Sequence, residues 1–278
     1  MIKIKVPGKW ILCGEHAVIR GFPAIAFPHQ DYFLEIEYEE NETLEHLHIE
    51  SALREPVERC IFELEKLSQK KLHETLRGTL KISNNIPTEA GFGSSAALCV
   101  GLVKFYSKTV QPLSLQEIIV WATQLEHLFH GKSSGLDIQA VLTPAPILFQ
   151  KNHPVKVIEM TWKPQFTFHD TGIRSSTRSC VEKVMRFQEQ SPEMAKQLDE
   201  RMGQASKECL MALNQRSISK LAEAMEEAQS CYDQWGLTQS AENTHEIKDQ
   251  MIQLKAQGAL AVKMTGAGQG GFLVALWP

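Results

Sequence analysis

Four glycines within nine residues constrain the fold of this chain more than any other feature. Lys263 to Gly271 reads KMTGAGQGG and lies between two apolar, β-like segments near the end of the 278-residue chain. A tight hairpin needs one or two glycines. Glycine is required where the backbone adopts a positive φ or passes close to another group. The surplus therefore indicates a loop that approaches a second backbone or a bound ligand, with an irregular structural bulge as the alternative.

A second glycine-rich loop runs directly into a predicted helix. Ile86 to Ala97 reads IPTEAGFGSSAA, in which Gly91 and Gly93 precede the two serines that open the helix. A helix N-terminus points several N–H groups and the positive end of its dipole at one place, which suits phosphate. The loop has neither the G-K-[ST] of a Walker loop nor the G-x-G-x-x-G of a dinucleotide site. Taken alone, it is equally compatible with a glycine turn and a serine cap.

The N-terminal segment places charged residues between apolar, strand-like stretches. Val6 to Ala26 reads VPGKWILCGEHAVIRGFPAIA and contains Lys9, Glu15 and His16. Charged side chains in such surroundings are unfavourable unless they are paired or used in a reaction. Taken one at a time, Lys9 is more commonly a solvated strand lysine, and His16 is more commonly a hydrogen-bonded packing histidine.

Together these motifs resemble those of the GHMP superfamily of small-molecule kinases. P-G-K followed by G-E-H-A-V-x-x-G-x-P-A-I resembles the first motif of the mevalonate kinases, and the two glycine clusters resemble the second and third GHMP motifs. Glu126 to Asp137, EHLFHGKSSGLD, is similar to the E-x-x-x-H-G-x-P-S-G-x-D segment of the same enzymes. The matches follow one another from Val6 to Gly271 and so cover essentially the whole chain.

The resemblance implies an α+β fold with two lobes and an active site between them. The N-terminal α+β domain, residues 1–150, would contain a left-handed βαβ unit, an exception to the usual handedness. Residues 151–278 would form the C-terminal α+β domain. The implied reaction is the ATP-dependent, Mg²⁺-assisted phosphorylation of the 5-hydroxyl of mevalonate to 5-phosphomevalonate, a step of isoprenoid biosynthesis.

The resemblance also assigns roles to individual residues. Asp137 would act as general base or orient the hydroxyl, paired with Lys9, while Glu126 and Ser95 would bind Mg²⁺. The residues implied for the nucleotide are Gly91, Gly93, Ser94, Ser95, Ala96, Gly266 and Gly268. The residues implied for the acceptor are Glu15, His16, Thr177 and Arg178. Individually, Glu126 is also read as a helix-surface carboxylate, Asp137 as a first-turn helix acid and Arg178 as a surface arginine.

The sequence departs from the family pattern at three positions. Glu89 stands where a glycine is usual, Phe92 where a leucine is usual, and Ser133 where a proline is usual. An inward-facing carboxylate would oppose a triphosphate, so we expect Glu89 to face solvent. The chain is also shorter than many mevalonate kinases, which puts inhibition by isoprenoid diphosphates in doubt.

Three alternatives to a mevalonate kinase remain. A phosphomevalonate kinase would need additional basic residues, and the G-E-H turn, in place of G-E-Y, argues against it. A decarboxylase of the same superfamily typically lacks the lysine that Lys9 provides. A non-catalytic ATP-binding regulator would have no use for Lys9, Ser95, Glu126 and Asp137 together.

Composition excludes several other classes of function. Lys and Arg number 29 against 33 Asp and Glu, giving a net charge of −4, so no broad basic surface is available for nucleic acid or an anionic membrane. The six cysteines lack C-x-x-C spacing, which fits reduced thiols. With no apolar run of signal or membrane-span length, we expect a cytoplasmic protein. The oligomeric state is left open, with a homodimer as one expectation.

Periodicity predicts a mixed α+β chain. Four short strands are expected in the first forty residues, then a helix over 53–72 and a strand before the second glycine loop. Strands are also predicted over 146–149 and 165–169, and a hairpin is predicted at the end of the chain. A domain boundary is expected near Pro144 to Pro154. The predicted helices after the second glycine loop begin at Ser94 and continue over 115–129, 134–142, 177–189, 192–213, 217–231 and 240–257.

Overall fold

The computed structural model describes residues 1–130, 133–238 and 246–278. The chain has a mixed α+β fold, as the sequence predicts, and divides into two compact units. The first unit comprises Met1–Gly8, Pro28–Pro87 and Gly93–Leu142, and the second comprises Lys9–Phe27, Thr88–Phe92 and Thr143–Pro278. The second unit thus takes residues from both sides of position 150, and the assignment of 1–150 and 151–278 to folding domains stays a prediction.

Two long strands replace the four short ones expected at the N-terminus, so that prediction was wrong. Strand β1 runs over Ile2–Cys13 and β2 over Ala24–Glu40, and the two strands pair. Pro7 and Pro28 both lie inside these strands. The fixed φ of proline is compatible with an extended chain, and proline is tolerated where its position needs no ladder donor.

The first unit contains a βαβ arrangement. Strand β3 (Leu47–Ser51) pairs in parallel with β4 (Gly78–Asn84), and the chain between them forms α1 (Arg54–Ser68) and the short α2 (Leu72–Thr75). The last part of β2 pairs with β4 in antiparallel register, from Leu34↔Asn84 to Glu40↔Gly78. The sequence predicts α1 and β4 but misses β3, because five residues carry too short a pattern. The left-handedness of the crossover stays a prediction.

Helix α3 lies at the centre of the first unit. It spans Ser94–Thr109 and packs against α4 (Leu115–His130), α5 (Leu136–Leu142) and α1. A β-carbon added to Gly101 would lie 3.0 Å from the Ile36 side chain, so the glycine lets α3 sit close to β2. This packing fixes the position of the first turn of α3, which carries the predicted phosphate-binding serines.

In its described residues, the second unit combines two sets of paired strands with four α-helices. The start of β2 pairs with β5 (Ile147–Phe149), which pairs with β6 (Lys156–Val157). A separate antiparallel sheet has the order β7-β9-β8, built from Gln165–Asp170, Phe272–Trp277 and Ala261–Thr265. The helices of this unit are α6 (Thr177–Gln190), α7 (Pro192–Gln215), α8 (Ile218–Gln234) and α9 (Glu246–Ala256).

Most of the second unit agrees with the predicted elements. Helices α6, α7 and α8 and the closing hairpin of β8 and β9 are confirmed within a few residues. The helix predicted over 240–257 is confirmed from Glu246 onward, and its first predicted residues lie outside the described part of the chain. Trp10 of β1 stacks on Phe27 with ring centroids 4.5 Å apart and meets the edge of Phe166, joining the N-terminal segment to the sheet of β7. No helix in the described ranges is long and apolar enough to cross a membrane.

Candidate active site

The two glycine-rich loops lie against each other in the second unit. Gly91 and Gly266 have φ angles of +83° and +91°. A β-carbon on Gly266 would lie 2.6 Å from the Cα of Gly91, and one on Gly91 would lie 2.7 Å from the carbonyl oxygen of Thr265. Real β-carbons do not make such close contacts with backbone, so both positions require glycine. The close backbone approach predicted from the glycine surplus is confirmed, and the approaching backbone belongs to the other glycine loop.

The remaining glycines of the C-terminal cluster have neighbours of the same kind. A β-carbon on Gly268 would lie 2.8 Å from that of Leu237, and one on Gly270 would lie 2.6 Å from the carbonyl oxygen of Ile173. At Gly271 it would lie 2.8 Å from the carbonyl oxygen of Ala90. The loop is therefore enclosed by several segments of the second unit, which accounts for all four glycines.

Lys9 joins the first motif to the second. It lies on β1 and is only 2% exposed. Its ammonium donates a hydrogen bond to the carbonyl oxygen of Gly91 at 3.1 Å, and its backbone N–H donates to that of Phe92 at 2.9 Å. A buried cation is tolerated when hydrogen-bond acceptors surround it. The lysine is therefore held beside the glycine loop, and a solvated strand lysine is excluded.

Glu15 forms a buried ion pair with a residue that the sequence analysis did not select. The Nζ atom of Lys263 lies 2.7 Å from Oε1 of Glu15, and the side chains are 0% and 2% exposed. Burial, followed by the negative charge of Glu15, raises the pKa of the neighbouring Tyr232 phenol. A lysine within the apolar strand ALAVKM was the available signal for this pair, because such a residue needs a buried partner.

His16 contacts the C-terminal glycine loop. Its Nε2 atom lies 2.8 Å from the carbonyl oxygen of Ala267. Burial lowers the pKa of the imidazole to about 4, so the ring is neutral near pH 7. Because a carbonyl oxygen only accepts hydrogen bonds, Nε2 carries the proton and donates it. The rings of Tyr232 and Trp235 meet the imidazole at centroid distances of 6.0 and 5.6 Å.

The segment from Asp170 to Arg178 follows the same loop. Thr171 donates from its N–H and its hydroxyl to the carbonyl oxygen of Gly271, at 2.9 and 2.8 Å. Thr177 begins α6, whereas the Arg178 side chain is 74% exposed and pairs with Glu182 at 3.0 Å. The acceptor roles of Thr177 and Arg178 stay predictions.

The charged neighbours of this segment face outward. Glu89 is exposed, as predicted, and the guanidinium of Arg174 makes two hydrogen bonds of 2.6 Å to Asp170. Hydrogen bonding to Arg174 lowers the pKa of Asp170. The unusual carboxylate of the second motif is therefore solvated.

In the first unit, the second motif continues into α3 as predicted. Gly93 precedes the helix with a φ of +76°, and Ser94 and Ser95 occupy its first turn, followed by Ala96. The amide of Asn84, at the end of β4, donates to the Ser94 hydroxyl at 3.1 Å. This contact ties the end of a strand to the start of the helix and fixes the direction of the helix N-terminus.

Ser133 connects Glu126 with Gly135, just before the helix that carries Asp137, in the same unit. Glu126 lies on α4 with 1% exposure, and the Ser133 hydroxyl donates to its Oε2. The N–H of Gly135 donates to the Ser133 oxygen at 3.0 Å, one residue before α5 begins. Asp137 lies half-buried in the first turn of α5. The buried position of Glu126 excludes a helix-surface carboxylate.

Oxygen donors define what these residues of the first unit could hold. Glu126 and Ser95 offer a carboxylate and a hydroxyl, the hard ligands that Mg²⁺ prefers, with its remaining positions filled by phosphate oxygens and water. Across residues 1–130, 133–238 and 246–278, no group of three or more His, Cys, Asp or Glu residues is arranged to hold a metal ion. The donor set therefore fits a cation bound together with a phosphate ligand.

Comparison with known proteins gives a consistent family. Residues 57–143 match the model "GHMP kinases N terminal domain" and residues 209–278 match "GHMP kinases C terminal". The chain is 28% identical over 201 residues to a mevalonate kinase of Aeropyrum pernix, covering 72% of this chain and 60% of that protein. It is 27% identical to a mevalonate kinase of Pyrococcus abyssi, covering 100% of this chain and 89% of that protein.

A solved structure supports the same fold. The crystal structure of L. major mevalonate kinase in complex with R-mevalonate superposes with a TM-score of 0.82 at 23% sequence identity. The superposition covers 99% of this chain and 87% of that chain. The similarity therefore extends over the full set of elements described above.

Proposed function

The chain belongs to the GHMP kinase family, and on that premise we propose that it transfers the γ-phosphoryl group of ATP to the 5-hydroxyl of mevalonate. The observation that carries the proposal is the close approach of the two glycine loops at Gly91 and Gly266, together with the hydrogen bond from Lys9 to the Gly91 carbonyl. Close-packed glycine backbone beside a buried cation suits a phosphate ligand. The mevalonate kinases matched at 27% and 28% identity support this choice of acceptor.

The proposed reaction assigns a separate task to each group of residues. N–H groups of the second glycine motif and the start of α3 hold the phosphates, and the ammonium of Lys9 offsets charge on the transferring group. The acceptor oxygen bonds to the γ-phosphorus, the bond to the β,γ-bridging oxygen breaks, and ADP leaves. Asp137 accepts the hydroxyl proton or orients the hydroxyl. The pairing of Asp137 with Lys9 stays a prediction.

Mg²⁺ is part of the proposal, with Glu126 and Ser95 as its protein ligands. Glu126 and Ser95 would hold the cation, which would supply positive charge to offset that of the phosphates. Ser133 orients the Glu126 carboxylate through the hydrogen bond to Oε2. A cytoplasmic location and a homodimer also stay predictions.

The acceptor is tested by a coupled ADP-release assay over mevalonate, phosphomevalonate, homoserine and galactose. We expect the fastest turnover on mevalonate. Fastest turnover on phosphomevalonate would favour a sister kinase, and no turnover with intact ATP binding would favour a non-catalytic regulator.

The catalytic assignment is tested by Asp137→Asn, which keeps size and removes charge. We expect kcat to fall by about two to four orders of magnitude, the range for a positioned general base, with ATP affinity nearly unchanged. Asp249→Asn is the matched control, because Asp249 is an exposed acid in the first turn of α9. If both variants keep most of their activity, Asp137 is only a first-turn helix acid.

A further inference from the structure

Three successive carbonyl groups of the C-terminal glycine loop accept hydrogen bonds from side chains of three different segments. The hydroxyl of Tyr232, on α8, donates to the carbonyl oxygen of Gly266. His16 Nε2 lies 2.8 Å from that of Ala267, and the Ser175 hydroxyl lies 2.5 Å from that of Gly268. All of these residues belong to the second unit.

These hydrogen bonds fix the amide groups of the loop as well as its carbonyls. The described chain contains no cis peptide bond, and a planar trans peptide points each carbonyl opposite to the N–H that follows it. Tyr232 and His16 therefore direct the N–H groups of Ala267 and Gly268 away from their own side chains. The third peptide is held at both ends, because the N–H of Gln269 donates to the carbonyl oxygen of Leu237 at 2.6 Å.

A loop of this composition needs external restraint. Gly266 and Gly268 have φ angles of +91° and +99°, and glycine loses more conformational freedom on ordering than any other residue. The close packing of the loop restrains its position, and the side-chain donors add a restraint on the direction in which its carbonyl and amide groups point. Successive amides held in one direction form a site for an anionic oxygen.

We propose that Tyr232, His16 and Ser175 are positioning residues that hold the Ala267 and Gly268 amides toward an anionic oxygen of the bound nucleotide. The proposal rests on the proposed function, since the nucleotide is its ligand. It moves His16 from the acceptor, where family resemblance puts it, to the nucleotide loop. The sequence predicted no role for Tyr232 or Ser175.

The first test removes single hydroxyl groups and measures nucleotide affinity without acceptor. In titration calorimetry with ATP and Mg²⁺, Tyr232→Phe and Ser175→Ala should each raise Kd about 5–10-fold, the effect of one hydrogen bond. Tyr38→Phe is the matched control, because the Tyr38 hydroxyl donates to the carbonyl oxygen of Arg77 at 2.9 Å in the first unit. Its Kd should stay within about twofold of wild type, the scatter of such measurements. Unchanged Kd in both Tyr232→Phe and Ser175→Ala overturns the proposal.

The second test separates a positioning role for His16 from contact with the acceptor. His16→Leu removes the donor, whereas His16→Gln keeps an amide N–H at similar reach. We expect a raised Kd for ATP in His16→Leu, recovery in His16→Gln, and an unchanged KM for mevalonate in both. A raised mevalonate KM with unchanged ATP Kd in His16→Leu contradicts the proposal. Wild-type protein that binds ATP but does not phosphorylate mevalonate counts against the proposed function alone.

Discussion

Gly266→Ala tests the close approach of the two glycine loops. The added methyl group would lie 2.6 Å from the Cα of Gly91, whereas ordinary contact begins at 3.4 Å. The loops must therefore separate by about 0.8 Å, the difference between those distances, to admit an ordinary van der Waals contact. Gly91 cannot yield freely, because its own β-carbon position lies 2.7 Å from the carbonyl oxygen of Thr265.

The expected loss of stability at Gly266 has two parts. Alanine at a φ of +91° costs about 1–2 kcal/mol, because its β-carbon approaches the following carbonyl oxygen. Inserting a methyl group into a close-packed site costs a further amount of about 1–3 kcal/mol. The sum is about 2–5 kcal/mol, a large share of the stability of an ordinary domain.

Gly21→Ala isolates the backbone part. Gly21 has a φ of +90°, and a β-carbon there would meet no atom within 4 Å. Its loss should be only about 1–2 kcal/mol. Urea unfolding followed by tryptophan fluorescence and circular dichroism gives both values, provided that the two signals coincide. Gly266→Ala should also raise the Kd for ATP, whereas Gly21→Ala should not. Equal losses of stability in the two variants would refute the close approach of the loops.

The other predictions concern His16, the buried ion pair and Ser133. The pKa of His16 falls from 6.5 in the unfolded chain to about 4 in the folded protein. The contribution of the neutral imidazole to the free energy of unfolding is therefore fully present above pH 6.5 and is lost as the pH falls toward 4. Wild type should therefore lose about 3 kcal/mol more than His16→Gln over that interval in urea titrations, and parallel curves would contradict the burial of the ring. Lys263→Met should destabilise the protein by about 3–5 kcal/mol because it leaves Glu15 buried and unpaired, whereas Lys3→Met should change little because Lys3 pairs at the surface. Ser133→Ala should raise the Mg²⁺ concentration for half-maximal rate severalfold, and an unchanged Mg²⁺ dependence would separate Ser133 from the metal site.

The glycine pattern predicted more of the site than any charged residue did. Four glycines in one short loop are more than a hairpin needs. The excess predicts that another backbone passes close to the loop, but it does not say which segment of the chain that is. The start of α3 was predictable for the same reason, since glycine followed by serine and an apolar run is a local signal. Both predictions depend only on residues that are neighbours in sequence.

The partners of the charged residues were not predictable in this way. Glu15 pairs with Lys263, 248 positions later, and His16 binds the carbonyl of Ala267, 251 positions later. A charged residue such as Glu15 in an apolar segment needs an ion-pair partner or a functional role. The sequence alone does not identify that partner. Strands β1 and β2 were predicted as four shorter strands, because the sheet pairing that makes each of them continuous is not visible in the local sequence pattern.

Ser133 illustrates how a departure from a family motif acquires meaning only from its contacts. A proline at this position would have no hydroxyl, so it could not donate to Oε2 of Glu126 or accept from the N–H of Gly135. The usual proline would make this turn rigid, whereas Ser133 makes two hydrogen bonds that connect α4 with the residues just before α5. Serine thus replaces the rigidity of proline by hydrogen bonds that fix the Glu126 carboxylate, and under the proposed function that carboxylate is the ligand offered to the nucleotide-bound cation.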